Sequence, residues 1–222
     1  MICKGDYEML MLGALLAAVL ISFLFKIVEW ITGLFDKRFL RYTIYIWGIL
    51  LIAASLFIKE NYVFHLPRNI QTVLPLCLII LLINLLISRR SGYSPVGLFN
   101  RVNFVITYPV FEEIAFRGLI LPILVRHQSL GEKFTLELGN SLFPKLSLAV
   151  IITAVLFAVS HLQYYKLNAE SIRFMLFAVS GGLFFGVIAQ ATESILLTIP
   201  LHMAFNGSAA LYAYSAAKRQ RI

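Results

Sequence analysis

The chain has 222 residues, 60% of them hydrophobic and 14% charged, with a mean hydropathy of +0.85 and a formal charge of +8. A soluble domain carries roughly 25% charged and about 45–50% apolar residues, so an ordinary water-soluble globule is excluded. Disorder is excluded too, because it needs low hydrophobicity. An all-α, polytopic membrane bundle remains, a single transmembrane domain over 1–222 with seven apolar segments of helix length.

The first apolar segment, Met9–Phe25, runs 17 residues without a charge. A signal-peptide core is about 7–15 residues behind a basic start, so this segment is expected to be a retained transmembrane helix. The next six are Tyr42–Ile58, Ile70–Ser88, Val102–Leu124, Leu146–Leu162, Phe174–Ala189 and Ile195–Tyr214. Short charged connectors divide them, apart from a long one from Arg126 to Lys145 and a tight turn at Thr192-Glu193-Ser194. There is no internal repeat. In the sixth segment, Gly182 and Gly186 form a small-xxx-small face for close helix packing. Cys3 and Cys77 imply no disulfide framework, and Cys77 reads as a small core residue.

Basic residues alternate in density between connectors. With the N-terminus outside and the C-terminus inside, twelve Lys and Arg fall inside and six outside, Arg117 lying within a span. Basic residues gather in cytoplasmic loops, so the +8 follows from topology. No basic run is interleaved with aromatics, so nucleic acid is not an expected partner. The expected surroundings are the lipid bilayer.

Ionisable groups inside the membrane are costly and mark function. They form three clusters. The first is Glu112-Glu113-x-x-x-Arg117. Glu113 and Arg117 lie four apart and can pair. Glu112 lies about 100° around the helix and can face the bundle without using the arginine, free to act as a general base. A structural ion pair or a transporter relay is the competing explanation. The second cluster is Phe157-x-x-x-His161, whose histidine alone could be a residue at the membrane interface. The third is His202-x-x-x-Asn206, on one helical face, equally able to glue helices together. As a set they supply a base and paired donors for an oxyanion, the equipment for amide hydrolysis. A Zn²⁺ site from Glu112, His161 and His202 is a chemically reasonable alternative. The chain has no His-Glu-x-x-His, no Gly-x-Ser-x-Gly and no phosphate-binding loop.

In order and spacing the three clusters resemble the motifs of the CPBP family, also called Abi, which comprises CAAX prenyl proteases and bacteriocin-processing enzymes. The resemblance covers roughly Val102 to Tyr214, with 102–214 as its catalytic core. It implies an intramembrane glutamate endopeptidase without metal or cofactor. By this resemblance Glu112, assisted by His161, activates water, and His202 and Asn206 form the oxyanion hole. Glu113 and Arg117 support the first motif, and Phe157 shapes the pocket. The implied partner is a membrane-associated peptide or protein precursor. The compact length resembles the bacterial branch, hence a bacterial cytoplasmic membrane. A non-proteolytic immunity or binding protein with the same fold is a further possibility the motifs leave open.

Overall fold

The computed structural model describes residues 4–90, 95–127 and 144–219. Cys3, the second half of the Arg89–Gly92 connector, most of the Arg126–Lys145 connector with Lys133, and the last three residues of the basic tail lie outside them. Seven helices and no strand are found among the described residues. They are α1 (Lys4–Phe35), α2 (Thr43–Phe57, entered through a 3-10 turn Lys37–Tyr42), α3 (Ile70–Ile87), α4 (98–126), α5 (Leu148–Ser160), α6 (Ala169–Thr192) and α7 (Thr198–Arg219). Each overlaps one of the seven apolar segments.

Four stretches are long and apolar enough to cross a membrane by themselves: Glu8–Phe35, Lys37–Phe57, Ile70–Arg90 and Ser171–Thr192. α5 is shorter than the roughly 20 residues of a full span, and α4 and α7 carry the polar clusters. The chain is an integral membrane protein, and the three helices that carry the motifs lie outside those four stretches.

Helix ends differ from the apolar runs where local chemistry extends them. α1 continues ten residues past Phe25, through Lys26 and Glu29, which pair one turn apart. α6 starts five residues before Phe174 because Asn168 and Ser171 form a reciprocal capping box. The glycine face of α6 meets α5: a Cβ on Gly182 would lie 2.9 Å from Ala154 Cβ, and one on Gly186 2.8 Å from a Val150 methyl. Gly181, beside them in sequence, has nothing within 4 Å of such a Cβ. Cys77 is buried in the core with Val73, Leu76 and Ile80 of α3.

α4 is not one uniform helix. Two π-helical segments, Asn103–Thr107 and Ile114–Ile120, interrupt its α-helical turns. Each is followed within two residues by a proline, Pro109 and Pro122. A π segment widens the turn and is frequently found at functional sites. Proline has no N–H to continue the ladder.

Candidate active site

α4 carries Glu112 and Glu113 of the first motif in the α-helical turn between its two π segments, and Arg117 in the second π segment. Glu113 and Arg117 are both fully buried, with Glu113 Oε1 3.0 Å from Arg117 Nη1. A buried charge pair survives only when its remaining polar atoms find partners or soft neighbours. Here the guanidinium lies 4.4 Å from the Phe157 ring centroid and 5.7 Å from that of Phe185. A desolvated cation held over ring faces gains about 2 kcal/mol or more. This matters because Arg117 Nε and Nη2 have no hydrogen-bond partner.

Glu113 also receives a second motif. His202 Nδ1 lies 3.0 Å from Glu113 Oε1, the same oxygen that meets Arg117. A carboxylate held by an arginine accepts, so Nδ1 is the donor. The other ring nitrogen, Nε2, then faces Glu112, 3.6 Å from Oε2. Glu112 keeps 13% of its side chain exposed and lines a cavity of about 570 Å³. The two adjacent glutamates thus have different surroundings: one is locked to a cation in the core, the other opens to the cavity.

His161 sits in a 3-10 turn, His161–Gln163, that ends α5. Its Nδ1 is 2.8 Å from the carbonyl of Phe157, one turn back. A carbonyl only accepts, so Nδ1 carries the proton and Nε2 is left as a potential acceptor. His161 also lines the cavity. Phe157 is the hub of the group. Its ring stands edge-on to His161 at 4.9 Å and to His202 at 6.0 Å, besides facing Arg117.

Asn206 shares the cavity, and its Nδ2 donates to the Phe104 carbonyl at 2.8 Å. The reason lies in the first π segment. There Tyr108 N–H bonds to Asn103 O, five residues back. Continued by one residue, that register would pair Phe104 O with residue 109, which is a proline. Asn206 supplies a donor to that carbonyl from α7. An amide nitrogen has two N–H groups, so one donor remains for the cavity.

All seven motif residues therefore gather around one place, five of them lining the cavity: Glu112, Phe157, His161, His202 and Asn206. Glu113 and Arg117 stand behind that wall. Several cavity residues carry no sequence signal of their own. Phe185 packs on both Arg117 and His202, the latter at 5.6 Å. Tyr164 and Tyr108, whose rings meet at 6.3 Å, line the cavity beside Glu112. Asn84 of α3 lines it too, its Nδ2 donating to the Leu201 carbonyl at 3.2 Å. In a chain with 18 phenylalanines and 10 tyrosines, no single ring stands out by type or spacing. Among the described residues, no group of three His, Cys, Asp or Glu side chains is arranged to hold a metal ion.

A bundle of membrane helices with a carboxylate, two histidines and an asparagine around a buried cavity defines a polytopic membrane hydrolase scaffold. The family follows from comparison. Residues 94–208 match the model for type II CAAX prenyl endopeptidase, Rce1-like, and the chain belongs to that family, a CAAX protease-type peptidase of the membrane. The matched stretch covers α4 to the first half of α7 and every motif residue. Neither the curated proteins nor the solved structures contain a match.

Proposed function

We propose that the chain is a glutamate endopeptidase that hydrolyses a peptide bond of a membrane-associated protein or peptide precursor without a metal ion. The observation that carries it is the unequal treatment of the two glutamates. Glu113 is committed to Arg117 and to His202 Nδ1, while Glu112 faces the cavity, with His202 Nε2 farther off at 3.6 Å. Glu112, with Nε2 of His161 as a second acceptor, removes a proton from a water in the cavity. The hydroxide adds to the scissile carbonyl, and the carbonyl oxygen becomes an oxyanion. His202 Nε2 and the second N–H of Asn206 stabilise that oxygen. The oxyanion role requires Nε2 to bear a proton while Nδ1–H donates to Glu113. The proton taken by Glu112 then passes to the leaving amine. A donor in such a site contributes about 2.7–4 kcal/mol to the transition state.

The substrate must reach the site unwound, because helical hydrogen bonds shield the scissile carbonyl. The cavity suits an apolar, membrane-bound partner: aromatic rings such as Phe174, Phe177, Phe184 and Phe205 line it alongside the polar cluster. Its lining includes Ile87 next to the basic end of α3, and Tyr165 and Phe174 next to Lys166 and Arg173. With the N-terminus outside, that end is cytoplasmic, and the membrane proposed is a bacterial one.

The test is cleavage of a prenylated, fluorogenic CAAX-type peptide by the purified full-length chain in liposomes. Glu112→Gln is expected to lose cleavage by about a thousandfold or more while inserting normally. Wild-type rates from Glu112→Gln overturn the glutamate mechanism. Loss of wild-type activity on chelation overturns metal independence.

A further inference from the structure

The far end of α4 is closed from outside the family-matched region. The Gly118 carbonyl, inside the second π segment, accepts the backbone N–H of Tyr62 at 2.9 Å. The same peptide reaches further: Tyr62 O accepts Ile195 N–H at 3.3 Å, in the turn that leads into α7. One residue of the α2–α3 connector thus bridges the helix bearing Glu112 and Glu113 to the start of the helix bearing His202.

The connector is built to hold that pose. Asn61 is buried, its Nδ2 donating to the carbonyls of Ser55 and Ile58 and its Oδ1 accepting Val63 N–H. Ser194 Oγ donates to His65 O at 2.6 Å, and Arg68 N–H to Thr192 O at 2.8 Å. Arg68 and Glu193 pair at 2.7 Å, and Arg126 reaches Glu60 at 2.6 Å. Asn69 and Glu193 are the two described non-glycine residues at positive φ, both 50°, and both flank this seam. Such strain persists where surrounding bonds over-determine it. Contact is close at the junction: a Cβ on Gly118 would lie 2.7 Å from Val63 Cγ2.

We infer that the Asn61–Val63 segment is a positioning clamp, which sets Glu112 and Glu113 against His202 through the Tyr62 peptide between Gly118 and Ile195. This rests on the catalytic roles proposed above and adds a part that the first hundred residues supply. Arg117 and Gly118 are adjacent, so a shift of the π segment moves the Glu113–Arg117 pair and the histidine docked on it.

The test uses the full-length chain with Gly118→Ala, Val63→Ala and the double variant. Gly-to-Ala inside a helix is by itself neutral or favourable, so harm from Gly118→Ala must come through the clamp. Two measurements are made: kcat and KM on the prenylated fluorogenic peptide, and the ¹⁵N-histidine signal of His202 Nδ1–H, which reports its bond to Glu113. Gly118→Ala is expected to lower kcat about tenfold or more, with KM within about threefold, and to shift the His202 signal. Val63→Ala removes the obstructing methyl, so the double variant is expected to recover both. Unchanged kcat and signal in Gly118→Ala, or a folded double variant as impaired as Gly118→Ala, overturns the clamp. If Gly118→Ala does not accumulate, the double variant alone decides by the same two measurements. If the wild-type chain does not cut the peptide, the catalytic proposal fails, and the His202 signal still tests the clamp.

Discussion

The two π segments of α4 are each tied to a distant part of the chain through one carbonyl, and the donors differ in kind. In the first, the π register sets Pro109, which has no N–H, against the carbonyl concerned. At Phe104 the partner is a side chain, Asn206, which also faces the cavity. At Gly118 it is the backbone of Tyr62, from a connector outside the family-matched residues. The first tie links the helix to the chemistry directly. The second holds the same helix from behind, where no reacting atom comes near. A side-chain tie leaves a motif in the sequence; a backbone tie leaves none, because any residue other than proline can donate that N–H.

Several changes would break or sharpen this contrast. The largest effect is expected at the Glu113–Arg117 pair. Arg117→Met leaves Glu113 charged in the core and should cost about 3–5 kcal/mol, read as a collapse of thermal stability in detergent. Asn206→Ala opens the first tie. It removes a donor from a buried carbonyl, costing about 1–3 kcal/mol. It should also lower kcat by about 10²–10³ if the second N–H serves the oxyanion; a stability loss with kcat unchanged would leave Asn206 as scaffold alone.

The smallest effect is alkaline. Burial, with Glu193 nearby, pushes the Tyr62 hydroxyl from 10.0 up to about 12. The folded chain therefore keeps this proton where the unfolded chain loses it. The stability this residue contributes is present below about pH 10 and is lost as the pH rises towards 12. Tyr62→Phe should flatten that part of the stability curve in melting measured from pH 9 to 12; an unchanged slope would show that Tyr62 does not hold its proton in the fold.

Much of the architecture was legible without coordinates. A helix crossing lipid must satisfy its backbone internally and face apolar surroundings, so composition and run length reveal the helices directly. Glu112, Glu113, Arg117, His161, His202 and Asn206 were legible for the converse reason: a polar group in an apolar run needs a cause. The pairing of Glu113 with Arg117 followed from their spacing, and it is present at 3.0 Å. Phe185 was not legible, since its role is a position between Arg117 and His202 rather than a chemical type. Gly181 and Gly182 look alike in sequence, yet only Gly182 meets another helix.

By itself, then, the sequence determined a membrane helix bundle, the three polar clusters and the family they mark. These depend on local quantities: hydropathy, spacing along one helix and residue chemistry. Tertiary structure decided which nitrogen of each histidine is already bonded, that His202 docks on Glu113, and which donors reach the Phe104 and Gly118 carbonyls. These depend on partners brought in from distant parts of the chain, Asn206 about a hundred residues after Phe104 and Tyr62 more than fifty before Gly118. Local helix geometry exposes a carbonyl, but only packing determines which distant donor reaches it.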